Sequence, residues 1–166
     1  RNAIPRESKS IIGVHSEKKV EILDSLKKIS SIISHEFKAI EENLKIEICE
    51  KPEIAPHLAV SKESQVDILN CIQAVHNGVF RMSPDIDGLV ETSTNFATIS
   101  IKNDKALIGL SSRSSIASAL QDLRDRIHAI SSLSGAKVTE GEAYPGWKPN
   151  LKSDLLKLSK KIYKEM

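Results

Sequence analysis

Apolar residues recur at spacings of three and four along several stretches of this chain, and elsewhere they alternate with polar ones. The longest periodic run spans about Glu17 to Asn43. There Val20, Leu23, Leu26, Ile29, Ile33, Phe37, Ile40 and Leu44 lay one stripe along a predicted helix, with Ser16 as its N-cap. A second helix is predicted from Ser61 or Lys62 to His76, ended by the turn signal Asn77-Gly78. The third has Ser114 or Ser115 as its cap and Ile116, Leu120, Leu123, Ile127, Ile130 and Leu133 as its buried stripe. Gly135 stands where a C′ glycine belongs. A fourth starts near Ser153, where Leu151, Leu155, Leu158 and Ile162 form a stripe suited to packing on a protein core, with lysines on the wet side.

Strand-type runs fill the spaces between. Residues 10–15 (SIIGVH) are short and apolar, 44–49 (LKIEIC) alternate with period two, and 136–143 (AKVTEGEA) read as a further strand. Leu89–Ile101 and Ala106–Ser112, joined by Lys102-Asn103-Asp104-Lys105, predict a hairpin. Arg81 to Gly88 is loop chemistry, and Pro52 and Pro56 break the chain. With the short second helix set aside, this follows the ferredoxin-like split βαβ order. The expected fold is α+β: a four-stranded antiparallel sheet with two long helices on one face, plus an inserted helix and a C-terminal helix. That fold hosts many unrelated functions and assigns none.

Composition narrows the choice. The 166 residues, 40% hydrophobic, suffice for one ordinary core. A net charge of +2 and 4% aromatic residues argue against a nucleic-acid surface, which needs a basic face or stacking platforms. No apolar run approaches membrane-spanning length, so no membrane partner is expected. Cys49 and Cys71 sit in apolar contexts without C-x-x-C spacing and read as two buried, reduced thiols. The opening Arg1-Asn2-Ala3-Ile4-Pro5 lacks a signal-peptide pattern, and the last helix closes without a stop signal. Both ends read as cuts in a longer, cytoplasmic protein.

No metal-ligand pair emerges among His15, His35, His57, His76 and His128, and Glu41-Glu42 reads as a solvated helix end. Three features do resist a purely structural reading. They are the N-terminal RNAIPRES, the Ser93-Thr94-Asn95 interruption of an apolar strand, and Arg113 within SSRSS at a strand-to-helix junction. Capping needs only one of those serines, and an arginine so placed is free to face a ligand.

Together with NGVFRMSPDIDGLVETSTNFATI at 77–99, LSSRSSIASAL at 110–120 and YPGWKPNLKSDLLKL at 144–158, these segments resemble the aminoacyl-histidine (Xaa-His) dipeptidases, or peptidase D. These are two-zinc peptidases related to carnosinase and carboxypeptidase G, in which a lid domain is inserted between halves of a catalytic domain. The resemblance implies that residues 1–143 are part of that lid, and that 144–166 return into the catalytic domain. It implies no metal ligand, catalytic residue or cofactor in this segment. The two zinc ions belong to the remainder of the parent catalytic domain, which would be this segment's partner, and the segment alone is expected to be inactive. By the same resemblance Arg113 would clamp the carboxylate of the dipeptide substrate, Asn95 would hydrogen-bond its backbone, and Asn2 is a third binding candidate. The alternative is a stand-alone ferredoxin-like module without catalysis, whose exposed sheet edge pairs with a second copy as a homodimer.

Overall fold

The computed structural model describes residues 4–51, 59–102 and 105–165. The chain divides into two units, Lys9–Val60 and a second made of Arg1–Ser8 with Ser61–Met166.

In the first unit a short 3-10 turn, Ser16–Lys18, leads into helix α1, Lys19–Phe37. Ser16 lies inside that turn and caps nothing; Lys18 holds the N-cap position without a side-chain bond. Beyond Phe37 the helix loosens into turns, held by Ile40 and Glu41 N–H donating to the Phe37 carbonyl and Leu44 N–H to that of Glu41. The helix therefore stops short of the expected Asn43. No residue of α1 is buried, and Val20 and Ile29 are exposed on the predicted apolar stripe. Residues 10–15 and 44–49 are not strands. Alternation marks a segment as able to join a sheet, but a strand forms only where a neighbour offers its own row of N–H and C=O groups. Lys19 reaches Glu50 at 2.8 Å, so an ion pair holds the end of the second segment. Cys49 is exposed, contrary to expectation. Pro52, Pro56 and His57 lie outside the described residues.

The second unit carries the sheet. Helix α2, Lys62–Ala74, begins at Ser61, whose hydroxyl accepts the Ser64 N–H. Three antiparallel strands follow, β1 (Gly78–Met82), β2 (Val90–Lys102) and β3 (Lys105–Ser114), in the spatial order β1-β2-β3. The hairpin is as expected, and its two linking residues 103–104 lie outside the described residues. Strand β1 occupies a stretch read from sequence as turn and loop. It is short, at the sheet edge, and its register with β2 shifts on either side of Arg81, so no clean alternation announces it.

Helix α3, Ala117–Leu133, packs beside β3. Its N-cap residue is Ile116, and no side chain caps it. The Ser114 hydroxyl instead accepts the Ile116 N–H, just outside the first turn. At the other end Gly135 adopts φ +67°, Ala136 N–H donates to Ser131 and Gly135 N–H to Ser132. That is the paired bonding of a Schellman stop, and the positive φ is why glycine stands there.

The core of this unit is small. Leu123 (1% exposed) and Ala119 from α3 are buried, as are Cys71 and Val75 at the end of α2. Residues 136–143, expected as a strand, instead run free of the sheet. Glu140 is held by an ion pair to Arg124 and by a hydrogen bond with His128 Nε2 at 2.8 Å, both residues on α3, so side-chain contacts stand where a ladder was expected. Helix α4, Asp154–Glu165, starts where predicted, but Leu155, Leu158 and Ile162 are exposed, as is Leu151 before it. The stripe meant for a core meets none among the described residues.

The architecture is thus α+β, with a three-stranded antiparallel sheet and four helices among the described residues.

Candidate functional site

The polar interruption in β2 and the serine-rich end of β3 are partners. Thr92 pairs with Ser114, Ser93 with Arg113, Thr94 with Ser112 and Asn95 with Ser111. Opposed residues in an antiparallel pair project to the same side, and successive pairs alternate sides. The two polar runs therefore divide into two sets with different roles.

The first set faces inward. Thr92 and Thr94 are 0% and 2% exposed, and their hydroxyls bond those of Ser114 and Ser112, each at 2.8 Å. A buried hydroxyl without a partner is costly, so the two threonines need the two serines. This explains why β3 carries more serines than helix capping requires.

The second set, Ser93, Asn95, Ser111 and Arg113, shares the opposite face. Arg113 is exposed, and Asn95 is half-buried and engaged within the fold. Among the described residues no carboxylate lies within ion-pair range of the Arg113 guanidinium. The structure thus brings Arg113 and Asn95 onto one surface. Asn2 lies outside the described residues.

Two loops gather at this end of the sheet. In the loop after β1, the Ser83 hydroxyl accepts the N–H groups of both Asp85 and Ile86 at 3.2 Å, and Ser83 N–H donates to the Leu89 carbonyl. This fixes the turn that presents Asp85. In the loop at 144–150, Lys148 Nζ lies 2.5 Å from Asp85 Oδ2. The lysine pKa is raised above its ordinary value, first by its hydrogen bond to Asp85 and then by the charge of that carboxylate. The same loop brings Gly146 so close to Ser114 that a Cβ there would collide with the Ser114 carbonyl oxygen. Nearby, buried Glu91 lies 3.6 Å from Arg81, accepts the Thr92 hydroxyl and, through its carbonyl, the Ser115 N–H.

Sequence reasoning did not single out Asp85, Gly146 or Lys148. The available signal was that opposite charges sit inside two glycine- and proline-rich loops, RMSPDIDG and YPGWKPN. Only folding shows that the loops meet.

Among the described residues no group of three or more His, Cys, Asp and Glu side chains gathers as a metal site would require. The His–Glu pair formed by His128 and Glu140 also holds the Arg124 cation, which would repel a metal ion. These residues do not fit a zinc ion. No helix among the described residues is long and apolar enough to cross a membrane.

The fold and this strand-end surface define an α+β domain that places an arginine and an asparagine on one face of a hairpin. No protein-family model matches the chain. It is homologous to a segment of the cytosol non-specific dipeptidase of Escherichia coli (strain K12). The two are 32% identical over 168 residues, covering 100% of this chain and 34% of that protein. The chain thus spans about a third of the length of the curated relative it matches. Its fold is also that of part of a solved structure, the aminoacylhistidine dipeptidase of Vibrio alginolyticus. The TM-score is 0.75 at 24% identity, over 91% of this chain and 30% of that one.

Proposed function

We propose that the chain is the substrate-capping part of a cytosolic, zinc-dependent dipeptidase, and that Arg113 binds the free carboxylate of the dipeptide. Residues 1–143 form the lid in this reading, and 144–166 lead into the catalytic domain, which holds the metals. The observation that carries it is the placement of Arg113 and Asn95 on one sheet face, the guanidinium having no carboxylate within reach among the described residues.

The chemistry follows from what a dipeptidase must recognise. Its substrate ends in a carboxylate one residue beyond the bond to be cut. A planar guanidinium donates two parallel hydrogen bonds to such a group, which fixes direction as well as distance. Asn95, on the same face, carries an amide of the kind that hydrogen-bonds a peptide backbone. Asn2 is a third binding residue in this reading. Closing such a surface over the substrate aligns it and excludes water, while the remainder of the protein supplies the hydrolytic step. By itself this chain binds one end of a substrate and cleaves nothing.

The test uses full-length protein and two substrates, a dipeptide and its C-terminal amide. The wild type should prefer the free acid, and Arg113→Ala should abolish most of that preference. Arg113→Lys should restore only part of it, because an ammonium lacks the fork. If Arg113→Ala leaves the acid-over-amide preference intact, the clamp lies elsewhere.

A further inference from the structure

An exposed ion pair by itself adds little to stability. Lys148 and Asp85 are both substantially exposed, so their 2.5 Å contact would be unremarkable if it stood alone. It does not stand alone. Two residues earlier in the same loop, Gly146 lies against the Ser114 carbonyl with no room for a Cβ. Ser114 directly follows Arg113 and ends β3. On the other side of the contact, Asp85 is set by a turn whose two N–H groups converge on the Ser83 hydroxyl. The 144–150 loop is therefore seated at two points, one electrostatic and one steric, and the steric one touches the backbone next to Arg113.

We propose that Lys148 and Gly146 are positioning residues: they seat the 144–150 loop on the end of β3 and so fix the backbone from which Arg113 projects. This deepens the substrate-clamp reading and rests on it for its consequence in catalysis, but the seat itself is a property of this chain. The same loop leads from the sheet-bearing part towards α4.

Trp147, the single tryptophan, lies between the two anchoring residues and reports on the loop directly. In the 166-residue chain, time-resolved fluorescence anisotropy of Trp147 should show greater segmental mobility in Lys148→Ala and in Asp85→Asn. The charge-exchanged pair, Lys148→Asp with Asp85→Lys, should return it towards the wild-type value. Gly146→Ala keeps both charges and should loosen the loop as well, which separates steric seating from charge. Global unfolding should barely move in the charge variants. In full-length protein, Lys148→Ala should raise KM for the free-acid dipeptide roughly three- to tenfold with kcat little changed. KM for the amide should stay the same.

Unchanged Trp147 mobility in all three single variants would overturn the seat. Looser Trp147 with unaltered KM, in a protein where Arg113→Ala does raise KM, would overturn its positioning role. Where Arg113→Ala is itself silent, the clamp reading has failed, and the Trp147 measurements alone decide whether the seat exists.

Discussion

Asn95 and Arg113 stand diagonally across the β2–β3 ladder on one face, Asn95 opposite Ser111 and Arg113 opposite Ser93. Diagonal neighbours of this kind lie roughly 7–8 Å apart at their backbones, within reach of one small ligand bound by both side chains. Ligand contact should therefore couple them. In full-length protein, Arg113→Ala should lower kcat/KM for a dipeptide about 10- to 100-fold, the loss expected when a charge-assisted hydrogen bond is removed. Asn95→Ala should cost less, and the double variant should lose less than the product of the two. Strictly independent losses would mean that the two residues do not hold the same molecule.

The inward set makes a stability prediction independent of any ligand. Thr94→Val leaves the Ser112 hydroxyl without its partner in the covered layer, at a cost of about 1–3 kcal/mol. Adding Ser112→Ala removes the orphaned group and should recover much of that loss. Urea unfolding of the single and double variants checks this; a double variant less stable than Thr94→Val would show that the hydroxyl pair is not the unit.

Leu123 anchors α3 in a core of few residues. Leu123→Ala should destabilise the sheet-bearing unit by about 2–5 kcal/mol. With so small a core, that loss would leave the unit largely unfolded near physiological temperature. Circular dichroism melting is the measurement, and a shift of only a degree or two would place the true core elsewhere.

The Lys148–Asp85 contact sets a pH dependence whose direction is fixed. The lysine pKa in the folded chain is raised above the ordinary 10.5. Its contribution is therefore fully present below about pH 10.5 and is lost as pH rises through the higher folded value. Trp147 anisotropy should stay flat from neutral pH to about 10.5, then report loosening as pH rises through the higher folded value. Lys148→Ala should already be loose at neutral pH and show no such alkaline step. A step that persists in the variant would belong to another group.

Much of this architecture was legible in the sequence. Helix α2 declares itself by its start and turn signals, α4 by periodicity, and α3 by periodicity together with the stop signal Gly135, whose left-handed backbone depends only on its neighbours. The β2–β3 hairpin is similarly local. What failed was non-local. Residues 10–15, 44–49 and 136–143 carry strand-like patterns, yet none has a strand partner among the described residues. Strand β1 hid for the opposite reason: a short edge strand with irregular register lacks a pattern but finds a neighbour in β2. The site shows the same division. Arg113 stood out because an arginine between serines at a strand-to-helix junction is locally odd. The Asp85–Lys148 contact joins loops separated by a strand pair and a helix, and no spacing rule connects them.

The bare apolar row on α4 has a practical consequence. Leu155, Leu158 and Ile162 meet water on a twelve-residue helix, a length that is marginal in isolation. Expressed alone, the chain should be colloidally poor: retained on hydrophobic resins, prone to self-association as it is concentrated, and improved by mild detergent. Replacing those three residues with glutamine or lysine should make it a better-behaved reagent, at no cost to the sheet face that carries Arg113.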